Sequence, residues 1–484
     1  MISFARRCLF ALTLTAAAAC AATDGASGAR LQWQAEGPMV VHGRIDPRLY
    51  GAWRVLGEGA LLQIDAGGVT QYQQSRSLCY ADDMASSNDP AALQGMSFKG
   101  RFGRGYAMVD LYELEGAPAS SALERIGRIP PACLRPPRSD PATTFKAMCE
   151  LMAQDYAFFV ERRIDWRSRC LSLAPHAAAA RSDDELQAVL IKGLSGFGDA
   201  HVKLLRGSGE ERATVFSAGD AATGRMLRHA FEQQSEIKDF HAFQSAWRDG
   251  LQQRIAQRLS GASGPQLDGA MQWGRLPGNV GYIGVYRMKG FSADASVADD
   301  VRLMRGAMDR AVAALKDTKA MIVDVALNGG GLDVVSAEIA GTFADRPRLA
   351  FMQSWHRPQG RVAQPWYVEP KGAAQYLKRV YVLTSDGSAS AAETFTLMMR
   401  ALPHARQAGQ TTAGSISDIL TKPLPGRFAV TFASQIDRDP KGRLFEVTGI
   451  PPQWPLPIFR AEDPDTLFTG HAAAVEVLAE VAAR

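Results

Sequence analysis

Two stretches of this 484-residue chain combine residue types that could carry out acyl transfer. Asp386-Gly387-Ser388-Ala389-Ser390-Ala391-Ala392-Glu393 follows the β-branched run "RVYVLTS" and leads into a helical pattern. A serine at a helix mouth has free amides beside it and the positive end of the macrodipole near its oxygen, so it can attack a carbonyl. Asn328-Gly329-Gly330-Gly331 follows a second apolar run, "AMIVDVAL". Glycines there let backbone approach a ligand and turn N–H groups outward, as an oxyanion hole requires. Each stretch also has a plainer reading, a tight turn and an N-cap serine, and either Ser388 or Ser390 fits it. A hydroxyl nucleophile needs a base, usually a histidine held by a carboxylate. Of the eight histidines, His201 in the "GDAH" turn at a strand start is the one placed to present an imidazole into a cleft. His176, His229 and His241 lie in polar helical stretches, His42 lies in a β-rich region, and His356, His404 and His471 sit in loop-like surroundings and read as solvated.

The elements that must position these residues form a series. From 31 to 134, short runs broken by Gly, Asp and Pro predict a small β domain. After the proline-rich "PPACLRPPRSDP", a helical domain over 140–205 carries the His201 turn; Ser182 and Glu185 stand in capping-box register there. A helical connector, 206–275, includes "SGASGPQLDG" as a loop. The segment 276–462 reads as an α/β core: strand "GNVGYIGVYRM", an amphipathic helix with Val301, Met304, Met308, Val312 and Leu315 on one side, then two further buried strands each followed by a helix. That order predicts a largely parallel sheet, with the working site outside the carboxyl ends of its strands. "GRFAVTFASQI" and "RLFEVTGI" suggest a hairpin-like end, and 463–484 a C-terminal helix.

With 46% hydrophobic and 21% charged residues, the chain has ordinary globular composition and room for two or three domains. The net charge of +4 falls to about +2 without Arg6 and Arg7, too little for an electrostatic footprint on nucleic acid. The sequence offers no metal motif and no phosphate loop, so no cofactor is expected. The opening "MISFARRCLFALTLTAAAACAATDGASG" has two arginines, an apolar run and small residues, which predicts a signal peptide over 1–22. Cys20 offers a lipid anchor, the alternative being cleavage close to residue 22. The expected location is exported: periplasmic, an outer-membrane lipoprotein, or secreted. No later stretch approaches ~20 uninterrupted apolar residues. Cys79, Cys133, Cys149 and Cys170 are an even set in an exported chain and allow three disulfide pairings, all of which would staple the N-terminal half.

"SASAAE", the upstream "VDVALNGGG", "GDAH" and the downstream "EVTGIPP", in that order, resemble the tail-specific or C-terminal processing serine peptidases and the tricorn-core peptidases, over roughly residues 140–460. The resemblance implies a crotonase-like or ClpP-like ββα core. It implies Ser390 as nucleophile, three residues before Glu393, and oxyanion amides from Gly330, with Gly331 beside it, and Ala391. The lysine-base branch has a "GKG"-like turn about 25 residues after the serine. This chain has Ser415 there, and Lys422, further on, reads as an exposed charge. The tricorn-like branch takes its histidine from a "D-x-H" turn, here His201, oriented by the glutamate of "E-x-x-G-x-x-P", here Glu446, directly or through a hydroxyl such as Ser417. Ala326 and Gln453 stand where the family usually has arginine and aspartate. No "GLGF"-like loop of a PDZ module lies between His201 and Asn279. The implied function is an exported serine endopeptidase acting on peptide or protein substrates. The alternative is an inactive binder of a peptide or apolar ligand on the same fold.

Overall fold

The computed structural model describes residues 33–103 and 106–484, so the signal-like segment and Cys20 lie outside the described residues. The N-terminal region is an eight-stranded antiparallel sheet running in the order Trp33–Pro38, Ser97–Gly103, Tyr106–Tyr112, Ser121–Ile126, Gly51–Val55, Ala60–Asp65, Gly68–Gln74 and Cys79–Ser87. Its inner face gathers Trp53, Leu62, Ile64, Phe98, Val109 and Leu123. Three helices follow, Pro141–Asp155, Trp166–Ala179 and Asp183–Leu194, the last capped by Ser182 as its register predicted. The disulfides are Cys79–Cys133, inside the β region, and Cys149–Cys170, joining the first two helices. Both lie in the N-terminal half, as expected.

The core is a seven-stranded mixed sheet. Val280–Val285, Ala320–Asp324, Arg379–Thr384, Ala405–Gly409 and Trp454–Pro455 run parallel, while Ser260–Gln266 and Met271–Leu276 pair antiparallel at one edge. Val280–Val285 and Ala320–Asp324 are buried at every position, because helices cover both faces. Met321 and Val323 pack on one side with Met304, Met308 and Phe395; Ala320 and Ile322 pack on the other with Val475 and Leu478. The terminal helix Thr466–Ala483 is long and apolar enough by length and composition to cross a bilayer, yet it covers this second face of the sheet.

Several expectations are corrected. The "SGASGPQLDG" loop begins as the edge strand Ser260–Gln266, where the register is interrupted and an edge position tolerates Gly and Pro. The segment 443–450 forms no hairpin strand. Phe428–Ala433 pairs instead with Ile419–Pro423 and with Lys203–Arg206, so a strand from the helical region completes a sheet with the core. Gln435–Arg438 joins a third small sheet with Arg348–Trp355 and Gln364–Val368. His471 is fully buried, with Nε2 2.6 Å from Asp324 Oδ2. Tyr282 donates to the same oxygen at 2.7 Å, so Asp324 has partners although Ala326 replaces the arginine of the family pattern.

Lys422 is also buried rather than exposed. Its ammonium donates to Gln73 Oε1 at 2.7 Å and to the Glu58 carbonyl, and lies 3.7 Å from Asp155 Oδ2. Core strand, β region and first helix therefore meet at one enclosed charge. Arg361 makes a second clasp, stacked over Trp355 and donating to the carbonyls of Leu56 and Ser120. Removing one member of a buried pair leaves the other uncompensated, at a cost of about 3–5 kcal/mol. Lys422→Met is expected to lose about that much in denaturant unfolding, and Lys422→Met combined with Asp155→Leu to recover most of it. Equal losses in the single and double variants would show that the pair is not coupled.

Candidate active site

The two serines after Arg379–Thr384 have different surroundings. Ser388 is fully buried; its hydroxyl donates to the Val325 carbonyl at 2.8 Å and accepts the Ser385 amide at 3.1 Å, which ties two strand ends together. Ser390 is half-buried, and its hydroxyl has no hydrogen-bond partner among the described residues. It caps the helix Ala391–Arg400 at φ 56 and ψ −125, a conformation costly for a residue with a Cβ. The helix start and an amide bond from Ser390 to the Ser415 carbonyl, 2.8 Å, hold it there.

The glycine turn lies against this serine. A Cβ on Gly330 would fall 2.6 Å from Ser390 Cβ and 3.1 Å from the Ala391 nitrogen, so only glycine allows the approach. Asn328 braces the turn: its amide donates to the Val285 carbonyl at 3.0 Å, its Oδ1 accepts the Gly330 N–H at 2.7 Å, and its carbonyl accepts the Ala389 N–H at 3.1 Å. The Gly330 amide is therefore occupied. Among the described residues the amides of Gly331 and Ala391 have no acceptor. Met288 takes the Gly330 carbonyl and the Leu332 amide, and consecutive peptide groups in an extended segment alternate, so the Gly331 N–H faces away from Met288.

His201 reaches the region on the turn before Lys203–Arg206, which the pairing of Lys203 with Thr431 fixes to the core. Thr431 donates to the His201 carbonyl at 2.6 Å, and Asp199 Oδ1 accepts the His201 N–H at 2.8 Å. The imidazole is enclosed, with Nδ1 unpartnered. Burial lowers its pKa to about 4, so the ring is neutral at pH 7. Glu446 sits in a turn where Val447 has φ 73. Its Oε2 accepts the amides of Ile416 at 2.7 Å and Ser417 at 3.0 Å, and its Oε1 lies 3.4 Å from Arg162. Burial and the charge of Asp199 push the Glu446 pKa well up. Ser417 meets Glu446 through its amide; its hydroxyl donates to the Asp418 carbonyl and accepts the Gln435 amide.

No hydrogen bond joins His201 to Ser390 or to Glu446 among the described residues. What links them is a relay of shared partners. Ser390 hangs on Ser415, the next two amides hold Glu446, and Arg162 spans from Glu446 to Asp199, 3.5 Å away, which holds the His201 turn. Glu393 anchors the same loop: fully buried, it accepts the Thr412 hydroxyl and the amides of Gly414 at 2.9 Å and Ser415 at 2.8 Å. Burial raises its pKa to about 7. Sequence reading did not anticipate Arg162 or the bracing roles of Asn328, Asp199 and Glu393. The motifs containing the last three were visible, whereas Arg162 lies in "VERRID", where nothing separates it from Arg163.

Residues 279–456 match the model of peptidase family S41. A solved structure from Parabacteroides merdae, described as a candidate peptidase, is 23% identical; the match spans 70% of this chain and 97% of that one, with a TM-score of 0.53. Mature CPAF is 12% identical over 71% of this chain and 97% of its own, with a TM-score of 0.49. The photosystem II D1 C-terminal processing protease is 11% identical over 69% and 97%, with a TM-score of 0.39. The likeness to the Parabacteroides structure is one of fold.

A histidine with a free-chain pKa of 6.5 and a folded pKa of about 4 binds its proton more readily when unfolded. Its contribution to stability is thus fully present above pH 6.5 and declines as acid is added toward pH 4. The Cε1–H resonance of His201 is expected to titrate with a midpoint near 4, and a midpoint near 6.5 would mean a solvated ring.

Proposed function

The chain is a member of peptidase family S41 through residues 279–456, a serine peptidase whose substrates are peptides or proteins, and from that premise we propose that Ser390 is its nucleophile, His201 its base and Glu446 the carboxylate that orients the base. The observation that carries the proposal is the contrast between the two serines: Ser388 spends its hydroxyl on structure, while the Ser390 hydroxyl is uncommitted beside two open amides. In this reading His201 takes the Ser390 proton as the hydroxyl attacks the scissile carbonyl, then returns it to the leaving amine. Glu446 holds the ring directly or through a bridging group. A neutral, buried imidazole suits the first step, and Asp199, itself beside Arg162, holds the backbone of the turn that carries it. The negative charge of the tetrahedral intermediate falls to the amides of Gly331 and Ala391, with Gly330 as the close-packed hinge between them. A lost donor typically costs about 100-fold or more.

Lys422 is unsuited to the alternative role of base, because its ammonium is bound at the interdomain junction. Two disulfides support an exported chain, since such bonds persist in oxidising compartments. A cleaved signal segment, a lipid anchor at Cys20, the crotonase-like description of the core and the domain limits 140–205, 206–275 and 276–462 belong to the same reading. The absence of a direct bond between Ser390 and His201 is the observation that keeps a non-catalytic binder as second reading. Free-enzyme geometry of this kind often tightens only around substrate.

Ser390→Ala is expected to abolish peptide hydrolysis while its unfolding free energy stays within ~1 kcal/mol of wild type. His201→Ala is expected to lose several orders of magnitude in kcat. A fluorophosphonate probe should label wild type and not Ser390→Ala; no labelling between pH 6 and 9 would favour the binder.

A further inference from the structure

The strand Ala213–Ser217 pairs antiparallel with Lys203–Arg206, which follows His201, and so brings the chain back beside the imidazole-bearing turn. There the Ala218 amide donates to the Val202 carbonyl at 2.9 Å. A Cβ on Gly219 would fall 3.1 Å from Ala200 Cα and 3.2 Å from Ala200 Cβ, so the chain lies directly against the residue before His201. It then reaches Thr223, near the start of the helix Ala222–Glu232. Thr223 is buried, and both its amide and its hydroxyl donate to the carboxylate of Asp386, the amide at 2.8 Å. Asp386 precedes Ser390 in the same turn sequence, Asp386-Gly387-Ser388-Ala389-Ser390. A strap of residues 218–223 thus joins the turn of the imidazole to the turn of the serine, and a chain of that length spans at most about 18 Å.

The residue types account for the tie. Ala221 occupies the cap position of the helix and offers no side-chain acceptor, so the first-turn amides need one from elsewhere. A carboxylate also suits the positive end of the helix dipole. Asp386 is available because its own turn is closed without it: the Ser385 hydroxyl accepts the Gly387 amide at 3.0 Å and donates to the Ala326 carbonyl at 2.6 Å. Among the described residues the Asp386 carboxylate bonds to Thr223 alone. Within the strap, Arg225 donates to the carbonyl and the carboxylate of Asp220, each at 2.7 Å. The helix has a separate anchor in Leu227, buried with Trp247, Leu251 and Ile255. What the tie adds is placement.

Through Asp199, Arg162 and Glu446 the same two turns are joined by a different route. One link between two bodies leaves a hinge, whereas two links fix a separation. General base catalysis depends on that separation, because an imidazole acts only within hydrogen-bond reach of the hydroxyl. A misplacement of about 1 Å can cost about 100-fold in rate.

We propose that Thr223 and Asp386 are positioning residues for peptide hydrolysis: their bond holds the strap in place and so sets the distance from the His201 ring to the Ser390 hydroxyl. The inference rests on the reading of Ser390 as nucleophile and His201 as base. The test uses the full-length protein, with hydrolysis of dye-quenched casein and the rate of fluorophosphonate labelling as readouts. Asp386→Ala is expected to lower kcat and the labelling rate by at least about tenfold while KM stays within about twofold. Asp386→Asn should recover both to within about threefold of wild type, since its side-chain oxygen still accepts the Thr223 amide and its NH2 can donate to the hydroxyl. In a His201→Ala background, Asp386→Ala should remove less than about a further twofold, because the group it positions is gone. Gly219→Ala perturbs the other end of the strap without touching the tie, and it should lower kcat with KM unchanged. Wild-type kcat in Asp386→Ala, a loss that Asp386→Asn does not restore, or an equal loss with and without His201 would overturn the proposal. Should Asp386→Ala lower the unfolding midpoint, Gly219→Ala decides, and an unaltered kcat there overturns it. A large loss in His201→Ala with none in Asp386→Ala sinks the strap alone; a His201→Ala protein as active as wild type sinks the His201 reading and the strap with it.

Discussion

Two buried carboxylates grip one loop, and the geometry of the whole site depends on that grip. Glu393 holds the amides of Gly414 and Ser415, and Glu446 holds those of Ile416 and Ser417. Four consecutive N–H groups are thereby fixed without belonging to any strand or helix. The carbonyl between the two grips accepts the Ser390 amide and so sets the strained backbone of the helix cap. Burying carboxylates is costly unless they are well hydrogen-bonded, and here the amides meet that requirement. The amides offset only part of that cost, since burial still raises the proton affinity of both acids, and the result is a serine whose backbone is held while its hydroxyl is left uncommitted.

The same economy of partners runs toward the histidine. Arg162 lies between Glu446 and Asp199, and Asp199 also accepts the Tyr156 hydroxyl at 2.8 Å and the His201 amide. One guanidinium therefore stands between two carboxylates on different parts of the chain. Its planar fork allows this in a way that an ammonium would not. Positioning of the His201 turn is thus distributed over side chains that make no hydrogen bond to the Ser390 hydroxyl among the described residues.

Much of this was legible in the sequence because it rests on periodicity. Buried strands, the helices between them, the Ser182 cap and the glycine turn all leave local patterns, and they appear where expected. What failed was long-range. The segment 443–450 looks like a strand by composition, but Glu446 and the positive φ at Val447 make it a turn. His471 and Lys422 looked solvated because no local signal reveals that Asp324 or Gln73 will face them from more than a hundred residues away. The strands Arg348–Trp355 and Gln364–Val368 were not anticipated either, since their pairing partner includes the distant Gln435–Arg438. Serine choice needed both kinds of information: spacing allowed Ser388 and Ser390 equally, the family resemblance favoured Ser390, and only tertiary hydrogen bonds distinguish their hydroxyls.

The strand that carries His201 into the core has a bearing on when the centre comes into being. Lys203–Arg206 pairs with Phe428–Ala433, more than two hundred residues later, and Glu446 follows after that. A chain emerging from its N-terminus therefore presents the imidazole long before any partner exists for it. Closing so long a loop is slow, and it comes late in assembly. A polypeptide ending before residue 428 would hold both Ser390 and His201 and still lack the strand on which the His201 turn docks.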